Sequence, residues 1–144
     1  MTMTTPFSLR LSLALGLFER GDHIGAATAL AELVDEVESS GPAAVPAETV
    51  LHSTTDLRLM LARAYFHSAQ FGRAEATLLR IIEESPTEAY AHLLLGRTLQ
   101  RAGRHADAAR PLALAEILGG YEKPTAYGTP GTSDETDPAG VSAG

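Results

Sequence analysis

The five histidines are the residues of this chain best suited to metal binding or proton transfer, and their spacing speaks against both. His23, His52, His67, His92 and His105 never stand three or four apart, so no helix turn offers two imidazoles on one face as a zinc site needs. The paired carboxylates Asp35-Glu36 and Glu83-Glu84 are sequence neighbours, which point apart on a helix and form no acid/base couple. Cysteine is absent, which removes thiolate ligands, thiol nucleophiles and disulfides together. Gly16, Gly21 and Gly25 imitate a spaced glycine series without a strand before it, and neither His-Glu-x-x-His nor Gly-x-Ser-x-Gly occurs. These residues predict a chain that is not an enzyme and binds neither metal nor cofactor.

The pattern that does recur is architectural. Leu61 and Leu95, Ala62 and Gly96, Arg63 and Arg97, Ala74 and Ala108, and Leu78 and Leu112 are each separated by one shift of 34, the mark of stacked repeats. Leu13, Ala14, Leu17, Gly21, Ala26, Leu30 and Leu33 fit the same pattern once more, displaced by 48. Apolar residues at three and four spacing flank a break at Gly21-Asp22, Ala69-Gln70 or Gly103-Arg104, so each unit is predicted to be two helices around a tight turn. Ala14, Ala62 and Gly96 on first helices, with Ala26, Ala74 and Ala108 on second helices, let the pair approach closely. His23, Phe71 and His105 share the register just after the turn, where each ring is expected to wedge at a helix start. Ser85-Pro86-Thr87-Glu88 and Ser53-Thr54-Thr55-Asp56 read as helix-starting boxes, and Thr5-Pro6 as the opening of the first helix. Pro111 falls inside the sixth helix, which must either kink there or start late.

This arrangement resembles the tetratricopeptide repeat family. The middle unit supplies the family's pattern with Leu61, Ala62, Tyr65, Ala74, Leu78 and Pro86. The third unit follows with Leu95, Gly96, Leu99, Gly103, Ala108, Leu112 and Ala115, but has Gly120 for the terminal Pro, and the first unit has Glu38 there. The family's large first-helix aromatic is replaced by Arg10, Arg58 and His92, which predicts looser packing. The resemblance implies an all-α fold, helix-turn-helix repeats stacked as a short right-handed α-solenoid of about six helices. Its expected divisions are a lead at 1–6, repeats at 7–40, 55–88 and 89–120 with an insert at 41–54, and a disordered acidic tail at 121–144.

In that family the first helices line a concave groove that binds peptides or helices. The resemblance therefore implies a partner-binding face of Leu15, Leu59, Met60, Arg63, Phe66, His67, Leu93, Leu94, Arg97 and Arg101, with Leu11, Phe18 and Glu19 beside it. An apolar floor with three Arg suits a protein or peptide partner carrying acids, since guanidinium forks pair with carboxylates. The clamp with which one subgroup grips chaperone C-termini is missing: Leu11, Leu15, Met60, Tyr90 and Leu94 stand at its places. Other readings stay open. The leucines could be helix-packing residues, the Arg could pair with Glu19 and Asp56, and the tail acids Asp134, Glu135 and Asp137 could occupy the groove. Repeat arrays usually end on a polar helix face; Leu114, Ile117 and Leu118 before Gly119-Gly120 predict an uncovered end through which a structural subunit would self-associate into a homo-oligomer.

Composition supports this reading of a binding or scaffold protein. With 44% hydrophobic residues, 6% aromatic and no Trp, an Ala- and Leu-based helical core is the economical solution. Net charge is −7, which disfavours nucleic acid and anionic membranes as partners. Ten Arg against one Lys, Lys123, reads as GC-rich bacterial codon bias. The apolar stretch "FSLRLSLALGLF" lacks a basic lead and a cleavage site, so the expected location is cytoplasmic.

Overall fold

The computed structural model describes residues 5–40 and 54–120. The expected tail at 121–144, and the insert apart from Thr54, lie outside the described residues. Among the described residues six helices follow one another: α1 (Phe7–Glu19), α2 (His23–Ser40), α3 (Thr54–His67), α4 (Phe71–Glu84), α5 (Ala89–Arg101) and α6 (His105–Gly119). Each packs on its sequence neighbours, and α3 also touches α5. The fold is all-α, a helical-repeat stack.

Three equivalent turns make the helix pairs. At each, one residue takes a left-handed conformation: Gly21 (φ 88°), Ala69 (φ 61°) and Gly103 (φ 82°). The amide after it reaches back five residues: Asp22 to the Leu17 carbonyl at 2.9 Å, Gln70 to Tyr65 at 2.8 Å and Arg104 to Leu99 at 2.8 Å. Such bonds satisfy carbonyls that a helix end leaves free. After the first turn Asp22 caps α2, its Oδ1 accepting the Gly25 amide at 2.9 Å.

The small residues sit where helices meet. Ala14, Ala62, Ala26, Ala74 and Ala108 are all buried. At Gly96 a Cβ would run into the Leu112 side chain and lie 3.4 Å from the Leu112 backbone nitrogen, so the α5–α6 approach requires glycine. The core divides at α3. Leu57, Leu61, Ala64 and Tyr65 join a cluster with α1 and α2, whereas Ala62 and Phe66 join one with α4, α5 and α6.

Several expectations are corrected. The helix α6 begins at His105 and continues through a buried Pro111, so the proline does not delay it. No helix starts at Ser85-Pro86: Glu88 donates its amide to the Ser85 carbonyl at 3.0 Å in a turn, and α5 begins only at Ala89. Of the three rings after the turns, His23 and Phe71 pack on the aromatic residues Phe18 and Phe66, but His105 is exposed, because no further unit covers it among the described residues.

The positions vacated by the family aromatic are not loosely packed. Arg58 is 5% exposed; its Nε donates to Glu38 of α2 at 2.8 Å and its Nη1 to Glu84 of α4 at 2.5 Å, while Arg80 adds a contact to Glu38 at 3.3 Å. Burial works against the charge, but the hydrogen bonds of Glu84 and Glu38 outweigh it and raise the Arg58 pKa above the ordinary value, while Arg58 holds the Glu84 carboxyl below its own. One shift of 48 earlier, Arg10 donates to Glu36 at 2.7 Å. One shift of 34 later, His92 is buried with Nε2 2.8 Å from the Pro86 carbonyl oxygen. Glu38 and Pro86 are themselves in register, so both links tie a unit to the end of the preceding one.

Candidate functional site

The last turn of α3 and the facing side of α5 enclose a hollow of about 200 Å³ lined by Arg63, Phe66, His67, Tyr90, Leu93, Leu94 and Arg97. Six of these seven belong to the expected groove. Phe66 and Leu94 are buried and form its floor, Leu93 is half-buried, and Arg63, His67 and Arg97 are exposed at its rim. Of the other expected residues, Arg101 lies beside this group on Phe66. Leu15 and Met60 pack half-buried against the α1–α2–α3 core, and Leu59, like Tyr90 and Leu93, against the other core; Leu15, Leu59 and Met60 do not line the hollow. Tyr90 is the lining residue that the sequence reading assigned only to a missing clamp. Its signal was present: positions 90, 93, 94 and 97 share one face of a helix.

Arg63 at the rim and Arg101 beside it are held by rings. The Arg63 guanidinium carbon lies 5.1 Å from the Phe18 ring centre, and that of Arg101 lies 5.1 Å from Phe66 and 5.3 Å from Phe71. Guanidinium groups stack on aromatic faces in this way. His67 stacks on His23 at 5.0 Å and meets Phe18 edge-on at 5.5 Å. Position 67 is in register with position 101, and Phe18 and His23 with Phe66 and Phe71. The last residue of each later first helix thus covers the ring pair of the unit before it.

The site's charge is one-sided. Burial first, and then the charges of His23, Arg63 and Arg101, push the His67 pKa below its ordinary 6.5. Neither Arg63 nor Arg97 forms an ion pair among the described residues, in contrast to Arg58, Arg80 and Arg104, whose carboxylate partners lie within the chain. A second hollow of about 240 Å³ borders Val34, Glu38, Arg58 and Arg80, but its cations are already matched by Glu38 and Glu84. The described residues contain no group of three His, Asp or Glu placed to hold a metal.

Residues 54–97, which cover α3, α4 and most of α5, match the profile of the tetratricopeptide repeat family. The chain carries a tetratricopeptide repeat. A repeat of this kind marks a protein–protein interaction module in the general sense. No curated protein and no solved structure matches the chain significantly. No helix among the described residues is long and apolar enough to cross a membrane.

The remaining expected residues lie at the far end of the repeat array. Ile117 is 78% exposed and Leu118 39%, with Leu114 half-buried. In register they correspond to Glu83, Glu84 and Arg80 of α4, charged positions on that helix's exposed side.

Proposed function

We propose that the chain is a non-catalytic adaptor of the cytoplasm, which holds a short acidic and partly apolar segment of a partner protein in the hollow between α3 and α5. The observation that carries this reading is the pairing of a buried aromatic and leucine floor with Arg63 and Arg97, cations that have no carboxylate partner among the described residues. An apolar side chain of the partner fills the floor, and a carboxylate beside it takes the guanidinium edges in charge-assisted hydrogen bonds.

The test is fluorescence polarisation of a peptide library that varies acidic and apolar content, read against wild type and Arg97→Glu. Arg97 is the residue to reverse because it neither stacks on a ring nor supports the core. Selected peptides should contain acids next to a large apolar residue. Arg97→Glu should weaken them by roughly tenfold to a hundredfold, the scale of a hydrogen bond to a charged group, and salt should weaken the wild-type complex. Peptides bound equally well by both forms would remove the groove from consideration.

A further inference from the structure

Aligning the first helices by register shows that α1 is built like a helix from the middle of a stack. Leu9, Leu13, Gly16 and Leu17 correspond to Leu57, Leu61, Ala64 and Tyr65 of α3, and to Ala91, Leu95, Thr98 and Leu99 of α5. In α3 and α5 every one of these residues is buried, and in α3 they join the cluster supplied by the preceding unit. In α1, Leu9 is 50% and Leu13 59% exposed, with Gly16 and Leu17 half-buried. The polar link follows suit. Arg58 divides its donors between its own unit, Glu84, and the preceding one, Glu38. Arg10 keeps the first half, donating to Glu36, but its Nε donates to the Thr5 carbonyl at 3.1 Å, a backbone substitute for the carboxylate of a unit before it.

The other end carries the complementary half. Ala109, Ala113 and Glu116 of α6 are in register with Ala27, Ala31 and Val34 of α2, the residues packed in one cluster with Leu57 and Leu61 of α3. Both small positions of α2 recur in α6, whereas α4 carries Glu75 and Leu79 there. Ala109 and Glu116 are exposed and Ala113 is half-buried. Glu116 forms no ion pair among the described residues. It stands one helical turn before Gly120, the counterpart of Glu38, and its own counterpart Val34 borders the same hollow as Arg58 and Glu38.

We propose that a second copy of this chain stacks head to tail, with α6 of one copy on α1 of the next, covering Leu9 and Leu13 and pairing Glu116 with Arg10. The contact extends a seam that the chain already makes twice within itself. Charge selects this mode over a symmetric one, because α1 on α1 would bring two Arg10 residues together, whereas α6 brings an acid. Since the two surfaces differ, the association is open-ended and does not stop at a dimer. It leaves the α3–α5 hollow untouched and is independent of its occupancy.

The test is sedimentation equilibrium of the full-length chain from low micromolar to several hundred micromolar, with Leu13→Asp to block the α1 face and Ala109→Arg to block the α6 face. Both residues are exposed, and circular dichroism verifies that each variant is folded. The average mass of wild type should climb past the dimer with concentration. Each variant alone should sediment as a monomer, and their equimolar mixture should form a one-to-one dimer that grows no further, since its outer ends are both blocked. Three results would overturn the proposal: a wild type monomeric throughout, a mixture that stays monomeric, or variants of which either still associates alone.

Discussion

Arg10 and Arg58 make the same contact in two environments, which allows the effect of burial to be read within one protein. The Arg58 side chain is 6% exposed and bonds two carboxylates from two helices, whereas Arg10 and Glu36 are 31% and 43% exposed. Deleting one partner of a buried ion pair costs about 3–5 kcal/mol. Because the orphaned Glu38 and Glu84 regain water, being 21% and 49% exposed, Arg58→Ala should sit at the lower bound, about 3 kcal/mol. Arg10→Ala removes a solvated pair and should cost under about 1 kcal/mol. Urea unfolding followed by helical circular dichroism measures both, and a melting temperature lower by about 10 °C is the thermal counterpart for Arg58→Ala. Equal losses for the two variants would refute the view that Arg58 is a buried tie between units.

Ala69 occupies the left-handed position that Gly21 and Gly103 fill in the other turns, so Ala69→Gly should stabilise by about 0.5–1 kcal/mol in the same urea assay. Gly96→Ala drives a methyl group into Leu112 and should cost about 1–3 kcal/mol, and with Leu112→Ala the combined loss should be smaller than the sum of the two single losses. The His67 pKa is lowered in the folded chain, so the unfolded chain binds more protons at this site and stability should fall as pH drops below about 6.5. His67→Asn should flatten that slope between about pH 7 and 5. The depressed Glu84 carboxyl gives a separate loss that begins below its ordinary 4.5, smaller in Arg58→Ala, where only Arg80 still faces it.

Helix pairing, the turns and the close-approach residues were legible in the sequence because each follows from local spacing: a left-handed residue ends a helix, and a small residue recurs at every crossing. Most of the hollow was legible for the same reason, since Arg63, Phe66 and His67 share one helix face, as do Leu93, Leu94 and Arg97. The failures lie where a partner distant in sequence decides. Arg58 read as a poor substitute for an aromatic ring because Glu38 and Glu84, each at least 20 residues away, come to it only on folding. Ser85-Pro86-Thr87-Glu88 has the composition of a helix start, yet the Pro86 carbonyl is occupied by His92. Leu59 and Met60 pack against different cores, a division of α3 that periodicity alone does not contain.

The connections between units differ greatly in length while the seams match. Residues 41–53 join α2 to α3, and only 85–88 join α4 to α5, yet Val34 with Leu61 and Ile82 with Leu95 meet in equivalent clusters. The seam is thus the same whatever the length of the connection. A break introduced between residues 41 and 53 would yield two fragments with a ready-made noncovalent recognition surface, which makes this position a split point for a complementation reporter.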